Sequence, residues 1–449
     1  MEGRVDLRVQ RANDRPVRAH GDHVLYWMIA ARRSTWSFAL DHALARATQL
    51  GRPLLVLEPL RAGYRWASDR HHAFVIDGMA DNSTAFAAAG ITYLSYVEPE
   101  AGAGKGLLEA LAARACCVIT DEQPGFFLPR MVRATAARLP VCVETVDGCG
   151  VFPLRAFDKA FTAARWFRRA WQAMPHLSTQ PERWPLARPP RVVRDAEVPG
   201  NVLRRWPSAR DISSIAIDHT VPRVSYRGGS AAARIALDDF VSRRAAHYAE
   251  RNHPDADAAS GLSPYLHFGH ISAHEVLARV DEPGFRDELV TWRELAHNFC
   301  FHRADHDRYT ALPAWARATL AKHKGDPRPE RYTARELEQA ATGDAVWNAA
   351  QRQLLRDGRI HNYLRMLWGK KILEWSATPQ RAFATMVELN NKYAVDGRDP
   401  NSYAGILWTL GLFDRPWGPE RSIFGTVRFM SSAATKRKLK MARYLAKYS

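Results

Sequence analysis

The stretch 392–417, KYAVDGRDPNSYAGILWTLGLFDRPW, concentrates residue types that can do chemistry. Asp396, Arg398 and Asp399 stand directly before a proline and the pair Asn401 and Ser402. Ala404 and Gly405 follow, then Trp408, Asp414, Arg415 and Trp417. Small residues let a flat ring approach the backbone, carboxylates fix its polar edges, and tryptophans offer faces for stacking. This is the inventory of a pocket for a large, planar, polar cofactor beside an aromatic partner. A buried turn with packed tryptophans has the same inventory.

Three more segments mix aromatic and polar residues. Residues 260–272, SGLSPYLHFGHIS, set Ser260 and Ser263 ahead of a helical pattern. Hydroxyls there cap a helix, or stand beside free N–H groups that bind phosphate oxygens. Residues 288–300, ELVTWRELAHNFC, put Glu288, Trp292 and the stretch from Glu294 to Asn298 with its polar residues on a helix whose other face carries Leu289, Leu295 and Phe299. In 347–375, Trp347, Trp368 and Trp375 are separated by 21 and 7 residues. Trp368 and Trp375 lie two turns apart on one helix and share a face. The Asp357-Gly358 turn can fold the preceding helix back, bringing Trp347 near them. Core packing and a path for electrons both fit such a cluster. Asn362 and Arg365 share a side of the same helix at i, i+3.

These strings resemble the photolyase/cryptochrome family, in particular its class II cyclobutane pyrimidine dimer photolyases. The resemblance runs from VLYWM at 24 to IFGTVRFM at 423 and is strongest from 260 to 428. It implies FAD, active as reduced FADH−, with LSPYLHFG (Leu262, Ser263), Ser260 and Tyr248 near its pyrophosphate. By the same resemblance Arg365 pairs with Asp396 beside the flavin, and Arg293, Asn298, Asn362, Arg398 and Asn401 complete the cofactor pocket. Asn390 matches an asparagine set by flavin N5. Glu288 touches the lesion, and Arg251, Asn252, Trp292, Met366 and Trp408 bind the substrate. Trp368 is the electron-transfer tryptophan nearest the flavin, continued by Trp347 and Trp375. Other photolyases place that proximal tryptophan at the position of Ile406, which argues for class II. The chain departs from the pattern at Ser402, where a glycine usually follows DPN, and at Phe413, where His is common in GxHDR. The connector near 177–207 is also unusual.

The implied partner is DNA carrying a pyrimidine dimer, duplex or single-stranded. The implied reaction is light-driven repair by an electron passed from photoexcited reduced FAD to a flipped-out dimer. Two rivals are a blue-light receptor that keeps the flavin without repair, and a flavin-free helical DNA-binding protein. The intact Glu288, Trp292 and Trp408 set, and the absence of a long tail before Ser449, favour repair over reception. The N-terminal half resembles the family's antenna half, and a deazaflavin, a folate or no second chromophore all remain open there.

The elements that position these residues follow from composition and periodicity. A chain of 449 residues, 46% hydrophobic and 25% charged, holds two or three globular domains. Its 64 Lys and Arg against 47 Asp and Glu give +17, a surplus suited to a polyanion such as nucleic acid. Five cysteines without paired-ligand spacing support neither a disulfide framework nor a metal site. The charged N-terminus is no signal peptide, and no run reaches the roughly 18 apolar residues of a spanning helix. A soluble, cytoplasmic monomer is expected, nucleoid-associated if bacterial, with no membrane partner.

Apolar runs at 24–29, 54–57, 91–97, 116–120 and 141–146 alternate with helical patterns at 37–50, 71–89, 105–115 and 128–139. This predicts a doubly wound parallel α/β sheet, whose ligands sit at the carboxyl ends of its strands. No GxGxxG or Walker pattern marks a phosphate cradle. A Pro- and Arg-rich segment, 175–222, reads as an ordered connector. From 230 the pattern is helical: 231–252, 272–280, 287–302, 314–323, 334–342, 344–357, 361–375 and 379–392, with Ser272, Asp287 and Asp344 as caps. The tail TKRKLKMARYLAKYS reads as one basic helix. The division is an α/β domain over 1–174, the connector over 175–222, and an all-α domain over 223–449.

Overall fold

A computed structural model describes residues 7–174, 184–188 and 195–449. Part of the expected connector, 175–183 and 189–194, lies outside the described residues. The chain separates into two compact units. The first comprises Met1–Asp158, Met174–Asp238 and Leu262–Asp281; the second comprises Lys159–Ala173, Asp239–Gly261 and Glu282–Ser449.

The first unit is built on six strands: β1 (Val9–Arg11), β2 (His23–Trp27), β3 (Leu54–Leu60), β4 (Thr92–Val97), β5 (Ala115–Glu122) and β6 (Val143–Asp147). Their order is β1-β6-β5-β2-β3-β4. β2 to β6 are parallel, and β1 runs antiparallel along β6. Helices α1 (Phe38–Leu50), α2 (Asp69–Ala89), α3 (Leu107–Ala112) and α4 (Leu128–Ala136) connect them. Leu25, Trp27, Leu57 and Val118 face one core, while Val24, Tyr26, Val56 and Ile119 face another with Leu40 and Leu44 of α1. With both faces covered, the strands read as unbroken apolar runs, the signature of a parallel sheet. β1 escapes sequence reading because its three residues, Val9, Gln10 and Arg11, sit in a charged context.

The strand order reverses between β2 and β5, the switch point where such sheets take ligands. There the Asp121 carboxylate accepts from the backbone N–H groups of Ile29, Ala30 and Ala31 at 2.8, 2.7 and 3.0 Å. It also accepts from the Tyr26 hydroxyl at 2.7 Å. Donors that cradle a phosphate in other doubly wound sheets are committed here to a protein acid, in keeping with the missing Gly-rich motif.

The second unit is helical. Its core gathers Trp347, Leu354, Leu364, Leu367, Trp368, Ile372, Trp375, Met386 and Leu407. Asp344 caps the Ala345–Asp357 helix, accepting from the N–H groups of Val346 and Trp347. Gly358, at φ +63°, ends that helix, and the Asn362–Trp375 helix packs against it. Asp399 caps Pro400–Thr409 by accepting from Asn401 N at 2.8 Å.

Three local expectations are corrected. The helix expected over 231–252 is α-helical only across Ser230–Asp239, then widens to π winding over Phe240–Arg244 and tightens to 3-10 winding over Ala245–Glu250. Apolar spacing is too coarse to register such changes of winding. Asp287 is not a cap: Glu282 caps Pro283–Asp287, and the Asp287 carboxylate pairs instead with Arg168 at 2.7 Å. The basic tail is two short helices, Ser432–Lys438 and Ala442–Lys447, parted where Leu439 and Met441 turn into the core. Among the described residues no helix is long and apolar enough to cross a membrane.

Candidate functional site

The loop 394–399 forms the floor of the candidate site. A Cβ on Gly397 would lie 2.8 Å from Asn390 O and 2.9 Å from Ala394 O, so only glycine lets the loop press onto the preceding helix, Pro379–Tyr393. Arg398 follows in the left-handed region at φ +68°. Its N–H donates to Asn391 Oδ1 at 2.9 Å, and its guanidinium to Asn391 O and Val395 O, both at 3.3 Å. Arg398, expected on the cofactor, thus ties the loop together. Asp396 is buried, with Oδ2 3.6 Å from Arg365 and Oδ1 without a hydrogen-bond partner among the described residues. The amide of Asn401 donates to the capping Asp399 at 2.9 Å.

The Pro400–Thr409 helix follows directly from this loop. The Cβ position of Gly405 faces open space, with no atom beyond its own helix backbone and chain neighbours within 4 Å among the described residues. One turn on, Trp408 stacks face to face with Trp292, ring centroids 4.5 Å apart and planes 14° apart. The two indoles therefore form one double-layered platform, not two opposed walls. Trp292 ends the π-wound turn Glu288–Trp292, a winding frequent at functional positions. At its start Glu288 pairs with Arg251 at 2.9 Å, and the Arg251 guanidinium lies 4.7 Å over the ring of buried Tyr248. Asn252 is half-buried in the next turn.

The tryptophan cluster is compact. Trp347, Trp368 and Trp375 are all buried. Trp347 and Trp375 meet edge to face at 5.3 Å, and Trp347 Nε1 donates to Trp368 O at 3.0 Å. Trp368 Nε1 donates to Gln351 Oε1 at 2.9 Å.

Several expected pocket residues are engaged elsewhere. The Asn298 amide grips the remote segment 159–161, accepting from Phe161 N and donating to Lys159 O, both at 3.0 Å. Arg293 pairs with Glu294 at 2.9 Å. Asn362 is exposed at its helix start, with half-buried Met366 one turn on. Ser260 belongs to the second unit. Leu262 and Ser263 belong to the first, where Leu262 is buried and Ser263 exposed at the head of the one-turn helix Ser263–His267.

Sequence reading missed Asn391, Gln351 and Lys370, all buried. Lys370 Nζ donates to Thr409 O at 2.5 Å, and burial pushes its pKa down to about 7. The available signal was a polar side chain inside an otherwise apolar stripe.

A flavin requires flat access and polar partners for its ring edge. Gly405 beside open space, the orphaned buried Asp396 Oδ1 and the paired Arg365 meet both needs, so these residues fit the group.

No family model matches the chain. It is 33% identical over 445 residues to the deoxyribodipyrimidine photo-lyase of Methanothermobacter thermautotrophicus, covering 98% of this chain and 97% of that one. It is 34% identical over 454 residues to the enzyme of that name from Oryza sativa subsp. japonica, covering 95% and 87%. Among solved structures, a class III photolyase from Agrobacterium tumefaciens superposes with a TM-score of 0.72 at 18% identity, over 95% of this chain and 86% of that one, which shows a common fold. The chain belongs to the photolyase/cryptochrome family, and the full-length relatives that establish this are enzymes named deoxyribodipyrimidine photo-lyase. Its α/β sheet unit and helical unit are the architecture of that family.

Proposed function

We propose that the chain is a class II photolyase that repairs cyclobutane pyrimidine dimers in DNA. The observation that carries this reading is one ten-residue helix, Pro400–Thr409, which presents Gly405 to open space and, one turn later, Trp408 stacked on Trp292. A cofactor wall and a base-stacking platform on one rigid element put donor and acceptor at a fixed separation. FAD held there as FADH− would supply, under light, the single electron needed to open the cyclobutane ring.

The protein residues bind, orient and shield. The +17 surplus holds DNA phosphates without regard to sequence. A dimer must leave the duplex to be reached, at a cost of a few kcal/mol, and stacking worth about 1–3 kcal/mol per base offsets it. The Trp292–Trp408 face supplies that stacking. Glu288, steadied by Arg251, offers a carboxylate to the polar edge of the dimer. Asp396, Arg365 and Asn390 would orient the flavin, and Trp368, Trp347 and Trp375 would relay electrons toward it in light.

In this reading 1–174 is the antenna half, 175–222 the connector and 223–449 the FAD and lesion half. At the carboxyl ends of β3 and β5, Tyr64, Trp66, Phe126 and Phe127 cluster with Arg61 and Arg65, a stacking environment for a deazaflavin or folate. The test is an absorption spectrum of the purified protein, then illumination with dimer-containing oligonucleotides. Flavin absorbance with light-dependent loss of dimers is expected. A yellow protein that neither binds the lesion selectively nor repairs it would favour the receptor reading, and a colourless one the flavin-free reading.

A further inference from the structure

We propose that Asn391 is a positioning residue that locks the amide of Asn390 with its carbonyl oxygen, not its NH2, turned to the flavin, and thereby sets the flavin's redox preference. This rests on the reading of Asn390 as the neighbour of flavin N5.

The two ends of an asparagine amide have the same shape, and their partners alone tell them apart. Asn391 is wholly buried, so it has no water to accommodate a flip. One partner is the backbone N–H of Arg398, 2.9 Å away, a group that can only donate. The facing Asn391 atom is therefore its oxygen. Its NH2 is then left to donate to the Tyr403 hydroxyl at 3.3 Å. The Asn390 amide lies 3.1 Å from that same Asn391 oxygen, and only the Asn390 NH2 can face it. The Asn390 oxygen consequently points away, with no partner among the described residues.

The origin of this chain of constraint is rigid. Arg398 is held in its left-handed conformation by three bonds to Asn391 and Val395, and Gly397 allows the loop to sit against Asn390 and Asn391. A carbonyl oxygen facing N5 accepts from the N5–H that only reduced flavin carries. It repels the bare N5 lone pair of oxidised flavin. An NH2 in its place would reverse both preferences.

The test is a redox titration of FAD bound to the full chain in Asn390→Ala, Asn391→Leu, their double variant and Tyr403→Phe. Asn390→Ala and Asn391→Leu should each shift the midpoint potential of bound FAD to more negative values. The double variant should shift no further than Asn390→Ala alone, and Tyr403→Phe should match the wild type because the Arg398 N–H still fixes Asn391. A wild-type potential in Asn391→Leu, even with lowered thermal stability, overturns the proposal, as does an additive shift in the double variant. A wild-type potential in Asn390→Ala overturns the underlying reading of Asn390, and the proposal falls with it. If Asn391→Leu does not fold, Asn391→Ser carries the same expectation, since a hydroxyl dictates no amide orientation.

Discussion

Trp368 commits its indole N–H to the fully buried Gln351, and this changes what a substitution there would do. Trp368→Phe strands the Gln351 oxygen, at a cost of about 1–3 kcal/mol. Adding Gln351→Leu removes the stranded oxygen but also the bond its amide donates to Glu338 O at 3.2 Å, so it should restore only part of that loss, as read in chemical denaturation. Light-driven reduction of FAD should fail in both variants because phenylalanine is much harder to oxidise. Repair by chemically pre-reduced enzyme should persist, since that electron does not cross Trp368; loss of repair would assign Trp368 to the repair step. Trp408→Ala removes half of the platform stacked on Trp292. It should leave FAD content unchanged and reduce the preference for dimer-containing over intact DNA by about 1–3 kcal/mol, measured as the ratio of the two Kd values. An unchanged ratio would take Trp408 out of the lesion site.

At the scale of the element, the Pro400–Thr409 helix is fixed at both ends: Asp399 caps its start, and the buried Lys370 donates to the Thr409 carbonyl at its end. Burial pushes the Lys370 pKa from 10.5 down to about 7, with Asp414 opposing the shift and Arg428 adding to it. Between about pH 7 and 10.5 the unfolded chain holds a proton on this lysine that the folded chain has released. Stability therefore rises with pH across that window, and the contribution is lost as pH falls through 7. Lys370→Met has no such proton to release. Its stability relative to wild type should be higher at pH 6 than at pH 9, by comparison of denaturation midpoints. A pH-independent difference would show that Lys370 is not the titrating group. The caps at Ser272 and Asp344 were legible because each is written in two or three adjacent residues. The π-wound turns at Phe240–Arg244 and Glu288–Trp292 were not, since one extra residue per turn leaves the apolar stripe nearly unchanged.

For the whole molecule, the net charge of +17 would govern encounter with DNA in the proposed function. Affinity for dimer-containing DNA should fall linearly on a log–log plot against salt, with a slope of about −0.9 per phosphate neutralised on duplex. Fluorescence anisotropy across a salt series measures this, and a flat line would exclude a phosphate-dominated contact. Lys436 and Arg437 are exposed on the Ser432–Lys438 helix, near the Lys438 ammonium that lies over Tyr363.

The sequence by itself determined the alternation of strands and helices, the helix ends marked by Asp344 and Gly358, and the spacing that brings Trp347 and Trp375 together. These are local or periodic properties: burial on one face forces a repeat that can be read along the chain. Tertiary structure decided which polar atoms are free for a ligand. Arg398 and Asn298 carry the right chemistry for a cofactor, yet the first is turned into its own loop and the second grips backbone 139 residues away. Asp396 keeps one oxygen unpartnered only because of what packs around it, and the orientation of Asn390 descends from a single N–H on Arg398. A hydrogen bond depends on direction and on a partner often remote in sequence, and no periodicity in the chain encodes either.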